Sequence, residues 1–133
     1  MSLVNVHTFL HTGIPVNDLE RAKDFYMNVL GLKESNDYDY GPNSPVRLYC
    51  GQEAAPGQQV VLFKRPAPIE RDAVAEDGYT HHAFVVTPEE FDLAMEKFQE
   101  MGIFRRGPIT WPGTTHRTLY FHDPDGNNLE LAD

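Results

Sequence analysis

His11-Thr-Gly-Ile-Pro-Val-Asn-Asp-Leu-Glu20 and His81-His-Ala-Phe-Val-Val-Thr-Pro-Glu-Glu90 are two copies of one element. His11, Gly13, Ile14, Val16, Asn17 and Glu20 stand where His81, Ala83, Phe84, Val86, Thr87 and Glu90 stand, an offset of 70 residues (81 − 11) in a chain of 133. The chain is therefore an internal repeat of half its length. In each copy a strand hands over to a helix within a few residues. Asn17 and Thr87 are N-cap types, and Glu20 and Glu90 three residues later complete capping boxes. Pro88 occupies the first helical position, where its missing N–H costs nothing.

Apolar residues then recur at helical spacing, first at Leu19, Ala22, Tyr26 and Val29, and again at Phe91, Ala94, Met95, Phe98 and Met101. Gly31 and Gly102 end the two helices. The pattern afterwards turns to short strand-like runs around 46–50, 59–63, 118–121 and 128–131, separated by Gly, Pro and Asn. Each half reads as β-α-β-β-β, which makes the fold class α+β. The modules are expected at about 5–65 and 79–133, joined by an exposed connector at 66–78, within a single domain of residues 1–133. A chain of this length has enough residues for a real core.

Composition narrows the partners. Twenty acidic residues against eleven basic ones give a formal charge of −9, and no basic stripe appears, so nucleic acid is excluded as a ligand. The single cysteine, Cys50, admits no disulfide within the chain and reads as a buried, inert thiol. Asn5, His7, His11 and Thr12 interrupt any apolar stretch near the start, so neither a signal peptide nor a membrane span is expected, and the reading is a cytoplasmic protein.

The chemistry lies in Leu119-Tyr-Phe-His-Asp-Pro-Asp-Gly-Asn-Asn-Leu-Glu-Leu131, a strand, an Asp-Pro-Asp-Gly turn and a second strand. Side chains alternate along a strand, so Leu129 and Leu131 share one side while Asn128 and Glu130 share the other. The same parity places Ile14 and Val16 opposite His11, and Phe84 and Val86 opposite His81. His11, His81 and Glu130 thus all face away from the helices. Two histidines and a carboxylate bind Zn(II) or, with positions left open, Fe(II) or Mn(II). The rival ligand His82 falls on the Phe84 face and is assigned to packing.

With these motifs, together with Phe25-Tyr-Met-Asn-Val-Leu-Gly31, the chain resembles the vicinal oxygen chelate superfamily over about His7 to Leu131. That superfamily includes glyoxalases, bleomycin-resistance proteins, fosfomycin-resistance thiol transferases and type I extradiol dioxygenases. The resemblance implies two βαβββ modules curled into a cup-like mixed sheet around one divalent metal ion (Fe, Mn, Zn or Ni), held by His11, His81 and Glu130.

Aligning 57–61 with 126–130 puts Val61 in the position of Glu130's counterpart, where resembling glyoxalase I and methylmalonyl-CoA epimerase chains carry Glu or Gln. Gln59, on the same face, keeps a four-ligand set open. Tyr120 lies ten residues before Glu130, where the resemblance places a substrate-contacting tyrosine of extradiol dioxygenases, a match shared with the thiol transferases. By parity it lies with His122 and His116, the three being the catalytic candidates. Both histidines equally fit solvated strand ends. Trp111 reads either as a lid over substrate or as a core or dimer contact, and Arg117 as an anion ligand or a partner of a surface carboxylate. His7 stays unassigned.

Two functions of different class follow. The first is a metal enzyme acting on a small substrate with vicinal oxygens, with extradiol ring cleavage slightly favoured by Val61 over glyoxalase-type lyase or isomerase chemistry. The second is a metal-free protein that sequesters a toxic small molecule, as the resemblance to bleomycin-resistance proteins allows. Two modules form one cup within a chain or two cups across a homodimer, the state that the resemblance favours at this length.

Overall fold

The computed structural model describes residues 2–35, 41–42, 44–51, 57–66 and 80–133. The chain divides into two compact units, Met1–Ile69 and Glu70–Asp133. Apart from Pro66, the expected connector up to Gly78 lies outside the described residues.

The first unit runs β1 (His11–Val16), α1 (Leu19–Asn28), β2 (Lys33–Glu34), β3 (Val46–Tyr49) and β4 (Gln59–Lys64). Its sheet has the order β1-β4-β3-β2, with β1 parallel to β4 and the other pairs antiparallel. Ile14, Val16, Leu48, Val60 and Leu62 are buried, as are Ala22, Phe25 and Tyr26 of α1. The alternation of Ile14 and Val16 with half-buried or exposed neighbours shows one face turned to the helix.

The N-cap of α1 is one residue later than the expected Asn17. Asp18 Oδ1 accepts from the Arg21 N–H at 3.0 Å, and Asp18 O accepts from the Ala22 N–H at 3.0 Å. The expected capping box is absent because the shift leaves Glu20, in the first turn, two residues from the cap rather than three. At the other end Gly31 takes a φ of 73°, and the N–H groups of Gly31 and Leu32 return to Met27 O and Tyr26 O at 3.1 and 3.0 Å. The Gly31 bond, with glycine in the left-handed region, closes the helix as an αL cap.

The second unit runs β5 (His82–Val85), α2 (Pro88–Glu100), β6 (Phe104–Thr110), β7 (Arg117–His122) and β8 (Asn128–Ala132), with sheet order β5-β8-β7-β6. Here the capping box forms. Thr87 Oγ1 accepts from the Glu90 N–H at 3.2 Å, and Glu90 Oε2 accepts from the Thr87 N–H at 2.8 Å. Phe91, Ala94 and Phe98 of α2 are buried with Leu119, Phe121, Leu129 and Leu131, the Phe98 and Phe121 rings lying 4.6 Å apart. Each buried phenylalanine contributes roughly 2–3 kcal/mol. Of the other expected stripe residues Met95 is half-buried and Met101 exposed.

Each unit is a βαβββ module, and the α+β fold class read from the repeat is the fold observed. Two strands had not been located in the sequence, β2 and β6. The first is two residues long, and the second carries Arg105-Arg-Gly-Pro108 at its centre, a composition that reads as a turn. No helix among the described residues is long and apolar enough to cross a membrane.

Candidate metal centre

The turn at 123–127 fixes the register of the second unit's central hairpin. Asp123 Oδ1 accepts from the N–H groups of Asp125 and Asn127 at 2.9 and 2.8 Å, and Oδ2 accepts from Asn127 Nδ2 at 2.7 Å. With the turn closed, Thr118, Tyr120 and His122 of β7 lie opposite Ala132, Glu130 and Asn128 of β8. On β5, Ala83 lies beside Glu130, and His82 and Phe84 lie beside Leu129 and Leu131. Residues paired across strands share a face, so His82 belongs to the helix side, as the sequence indicates. Burial draws its pKa down, as does the neighbouring His81, against the pull of Asp123.

His81 stands just before β5 and faces the other way. Its Nε2 is 3.0 Å from Glu130 Oε2, and its ring meets Tyr120 edge-on at 5.8 Å. The Glu130 side chain is 9% exposed against 32% for His81, so a nearly buried carboxylate is met by an accessible imidazole. Asn128 steadies the same corner. Its Oδ1 lies 3.0 Å from His122 Nε2 and accepts from Arg105 Nη1 at 2.8 Å, while its Nδ2 donates to Thr80 O at 3.4 Å, one residue before His81.

The predicted residues thus separate. His81, Glu130 and Tyr120 come together, and His122 lies one register step away on the same face. His116 is held elsewhere, with Nδ1 2.8 Å from Asp133 O and its ring 5.9 Å from Trp111. Arg117, left open between two roles, is a structural clasp: Nη1 donates to Asp92 Oδ1 at 2.8 Å, Nε and Nη2 donate to Asp133 Oδ2, and the guanidinium covers the Phe91 ring at 4.3 Å. These bonds hold the Asp133 carboxyl below its ordinary value and raise the Arg117 pKa. Cys50 is a half-buried free thiol, less enclosed than expected, with Sγ 3.4 Å from Gln58 O.

In the first unit His11 begins β1 beside Gln59 of β4, and Gly13 lies beside Val61. His11 Nδ1 is buried and has no hydrogen-bond partner among the described residues. A buried polar atom left so costs about 1–3 kcal/mol unless something binds it. Matching Gly13–Val61 to Ala83–Glu130 makes Val61 the counterpart of Glu130, and Gln59 that of Asn128. Among the described residues no three His, Cys, Asp or Glu side chains gather into a group able to hold a metal ion. The His81–Glu130 pair of the second unit nevertheless has the donor chemistry that suits a divalent ion.

Sequence reading missed Arg105 and Arg106, both on β6. The Arg106 guanidinium lies 4.6 Å from the centre of the Tyr120 ring. Two consecutive arginines in an acidic chain were the available signal.

The family profile described as the Glyoxalase/Bleomycin resistance protein/Dioxygenase superfamily matches residues 8–131. The chain belongs to this superfamily. A lactoylglutathione lyase from Neisseria meningitidis serogroup A is 30% identical over 92% of this chain and 87% of that protein. The glutathione transferase FosA of Serratia marcescens is 28% identical over 91% of this chain and 77% of its own length. The crystal structure of a glyoxalase/dioxygenase from Nostoc punctiforme matches with a TM-score of 0.72 at 26% identity, covering 99% of this chain and 94% of that one. These superfamily relatives are named as enzymes.

Proposed function

We propose that the protein is a divalent-metal-dependent enzyme acting on a small substrate with neighbouring oxygens, by lyase or group-transfer chemistry. The observation that carries this reading is the His81 Nε2–Glu130 Oε2 contact of 3.0 Å on the face turned from α2, in a chain of this superfamily. His11, with its unsatisfied buried Nδ1, is the third ligand. Val61 offers no donor at the fourth position, which leaves coordination sites for substrate. A bound ion would supply Lewis-acid stabilisation of charge developing on a substrate oxygen.

The chain's own residues do the rest. Glu130, almost buried, brings the negative charge that favours a cation. Asn128 holds the backbone before His81 and so orients that ring. Tyr120, opposite Glu130 and against His81, is placed to give or accept a hydrogen bond at a substrate oxygen. His122 backs the corner through Asn128, and His116, tied to Asp133, takes no part. The enzyme functions as a homodimer in the cytoplasm on this reading.

The first experiment is metal content by elemental mass spectrometry on protein purified anaerobically without chelators, beside Glu130→Ala. About one divalent ion per chain, lost in the variant, is expected. No metal in either sample sinks the enzyme reading in favour of sequestration.

A second reading, extradiol ring cleavage, draws on Tyr120 facing Glu130 and on Val61. Oxygen uptake with a panel of catechols separates the two. Uptake by the iron-loaded protein favours ring cleavage, and turnover without oxygen favours the leading reading.

A further inference from the structure

Arg105 sits at the irregularity of β6. Phe104 lies opposite Phe121 and Arg106 opposite Tyr120, so β6 advances two residues where β7 advances one, and Arg105 is the inserted residue of a bulge. From there its side chain spans β7 and reaches β8, where Nη1 donates to Asn128 Oδ1 at 2.8 Å. Asn128 is buried, and its cross-strand neighbour is His122. The same Oδ1 lies 3.0 Å from His122 Nε2, and Asn128 Nδ2 donates to Thr80 O at 3.4 Å.

Donor and acceptor chemistry leaves this cluster one arrangement. A guanidinium only donates and a backbone carbonyl only accepts, so the Asn128 oxygen must face Arg105 and its NH2 group must face Thr80 O. Flipped, the amide would set NH2 against guanidinium and oxygen against oxygen. With the oxygen fixed, the His122 nitrogen beside it can only donate. Neutral His122 therefore carries its proton on Nε2 and its lone pair on Nδ1. In that state it can accept a proton at Nδ1 but not give one there, whereas the Tyr120 hydroxyl can do either. The other end of the amide bears on a metal ligand. Thr80 is one residue before His81, and the bond to its carbonyl is long, so it holds only as firmly as the amide is held at Oδ1. Arg105 holds it there by a charge-assisted bond.

We propose that Arg105 is a positioning residue of this corner, acting through Asn128 to set the tautomer of His122 on one side and the backbone before His81 on the other. The proposal rests on the reading that the His81–Glu130 face is the reactive one.

The test is proton–nitrogen NMR of the histidine rings in chelator-treated full-length protein at a pH where they are neutral, followed by zinc titration of the same samples. The His122 signals are identified by their loss in His122→Gln. Wild-type His122 is expected as a single Nε2–H tautomer. In Arg105→Met the signals should move toward a mixture of tautomers, and zinc affinity should fall about 10-fold, as for residues that orient a metal ligand. Arg105→Lys, which keeps a cationic donor, should restore the single tautomer and most of the zinc affinity. A retained amide spectrum shows that each variant is folded. A merely structural role would lower the melting temperature and leave both readouts alone. An unmoved tautomer with unchanged zinc affinity in Arg105→Met therefore overturns the proposal, as does a wild-type His122 protonated on Nδ1. The two readings fail separately. Wild type that takes up no zinc while Arg105 still sets the tautomer removes the metal reading and leaves this proposal standing; zinc uptake lost in Glu130→Ala, with both readouts indifferent to Arg105→Met, does the reverse.

Discussion

The two modules follow one plan and part company along a single strand. In the second unit β8 carries Asn128 and Glu130 and is followed by Asp133; in the first, β4 carries Gln59, Val61 and Lys64 at the corresponding positions. Both strands lie in the middle of their sheets, parallel to the strand that opens the module. The backbone requirement is therefore the same, and the difference is chemical. One module presents a nearly buried carboxylate to a histidine, while the other has a fully buried valine at that position and a histidine whose Nδ1 has no hydrogen-bond partner among the described residues. A duplicated scaffold thus carries a histidine–carboxylate pair in one half and only the imidazole in the other.

The largest expected effect comes from removing the ligands. Glu130→Ala and His11→Ala should each lower divalent-metal affinity by more than about 100-fold, beyond the loss typical of residues that merely orient a ligand. Zinc titration calorimetry checks both. Unchanged affinity in His11→Ala would confine metal binding to the second module. Mixing the two variants after unfolding and refolding sharpens the comparison further. Recovery of about a quarter of wild-type metal binding means that His11 of one subunit completes the pair of another; no recovery means that each chain supplies its own three ligands.

Giving the first module the second module's residue is the next test. Val61→Glu buries a carboxylate at a fully buried position and should cost about 3 kcal/mol in metal-free protein, measured by urea unfolding. Zinc should recover part of that loss, because the new carboxylate becomes a fourth ligand beside His11. A penalty indifferent to zinc would show that the Val61 face of the first module does not meet the metal.

The sequence disclosed those features that repeat or alternate, because such patterns arise from backbone geometry alone. The 70-residue offset revealed two modules, and strand parity put Glu130 and His81 on one face and His82 on the other, as the register has them. The Val61–Glu130 equivalence was likewise legible from the shared turn and strand pattern. Arg106 was not. Its facing depends on a bulge, which breaks the alternation that parity reasoning needs, and Gly107-Pro108 disguised the strand itself. His116 followed parity on paper, yet Asp133 O draws it to the strand's end, a tertiary contact with no local signature.

The Arg117–Asp133 clasp separates the modules by pH, since Lys64 holds the place of Asp133 in the first. The Asp133 carboxyl is held below its ordinary 3.8, chiefly by hydrogen bonds from the Arg117 side chain, which outweigh the opposing effect of burial, with the Arg117 N–H and charge adding to the lowering. A carboxyl with a depressed folded pKa stabilises fully above its unfolded value and loses that contribution as pH falls through the folded one. Asp133→Asn should therefore melt below wild type at neutral pH, and the two melting curves should draw together as pH drops below about 3.8. A gap that is constant down to the acid limit would mean that the clasp stabilises by shape rather than charge.

The smallest effect concerns how the helices begin. Thr87 closes a two-way box in which Thr87 and Glu90 each accept from the other's N–H, whereas Asp18 accepts a single bond from Arg21. Loss of an N-cap costs about 1 kcal/mol. Thr87→Ala should approach that figure. Asp18→Ala should lose a similar cap bond and, in addition, a carboxylate beside the positive end of α1, worth about 0.3–1 kcal/mol at low salt. Asp18→Ala is therefore expected to cost more than Thr87→Ala by about 0.3–1 kcal/mol in low salt, and the two variants should draw together in high salt, where screening removes the charge component of Asp18 but leaves the neutral hydroxyl of Thr87 untouched. Urea unfolding at two ionic strengths measures this. If Thr87→Ala were the salt-sensitive variant, the benefit of its cap would come from keeping the Glu90 carboxylate at the helix start rather than from the hydroxyl bond itself.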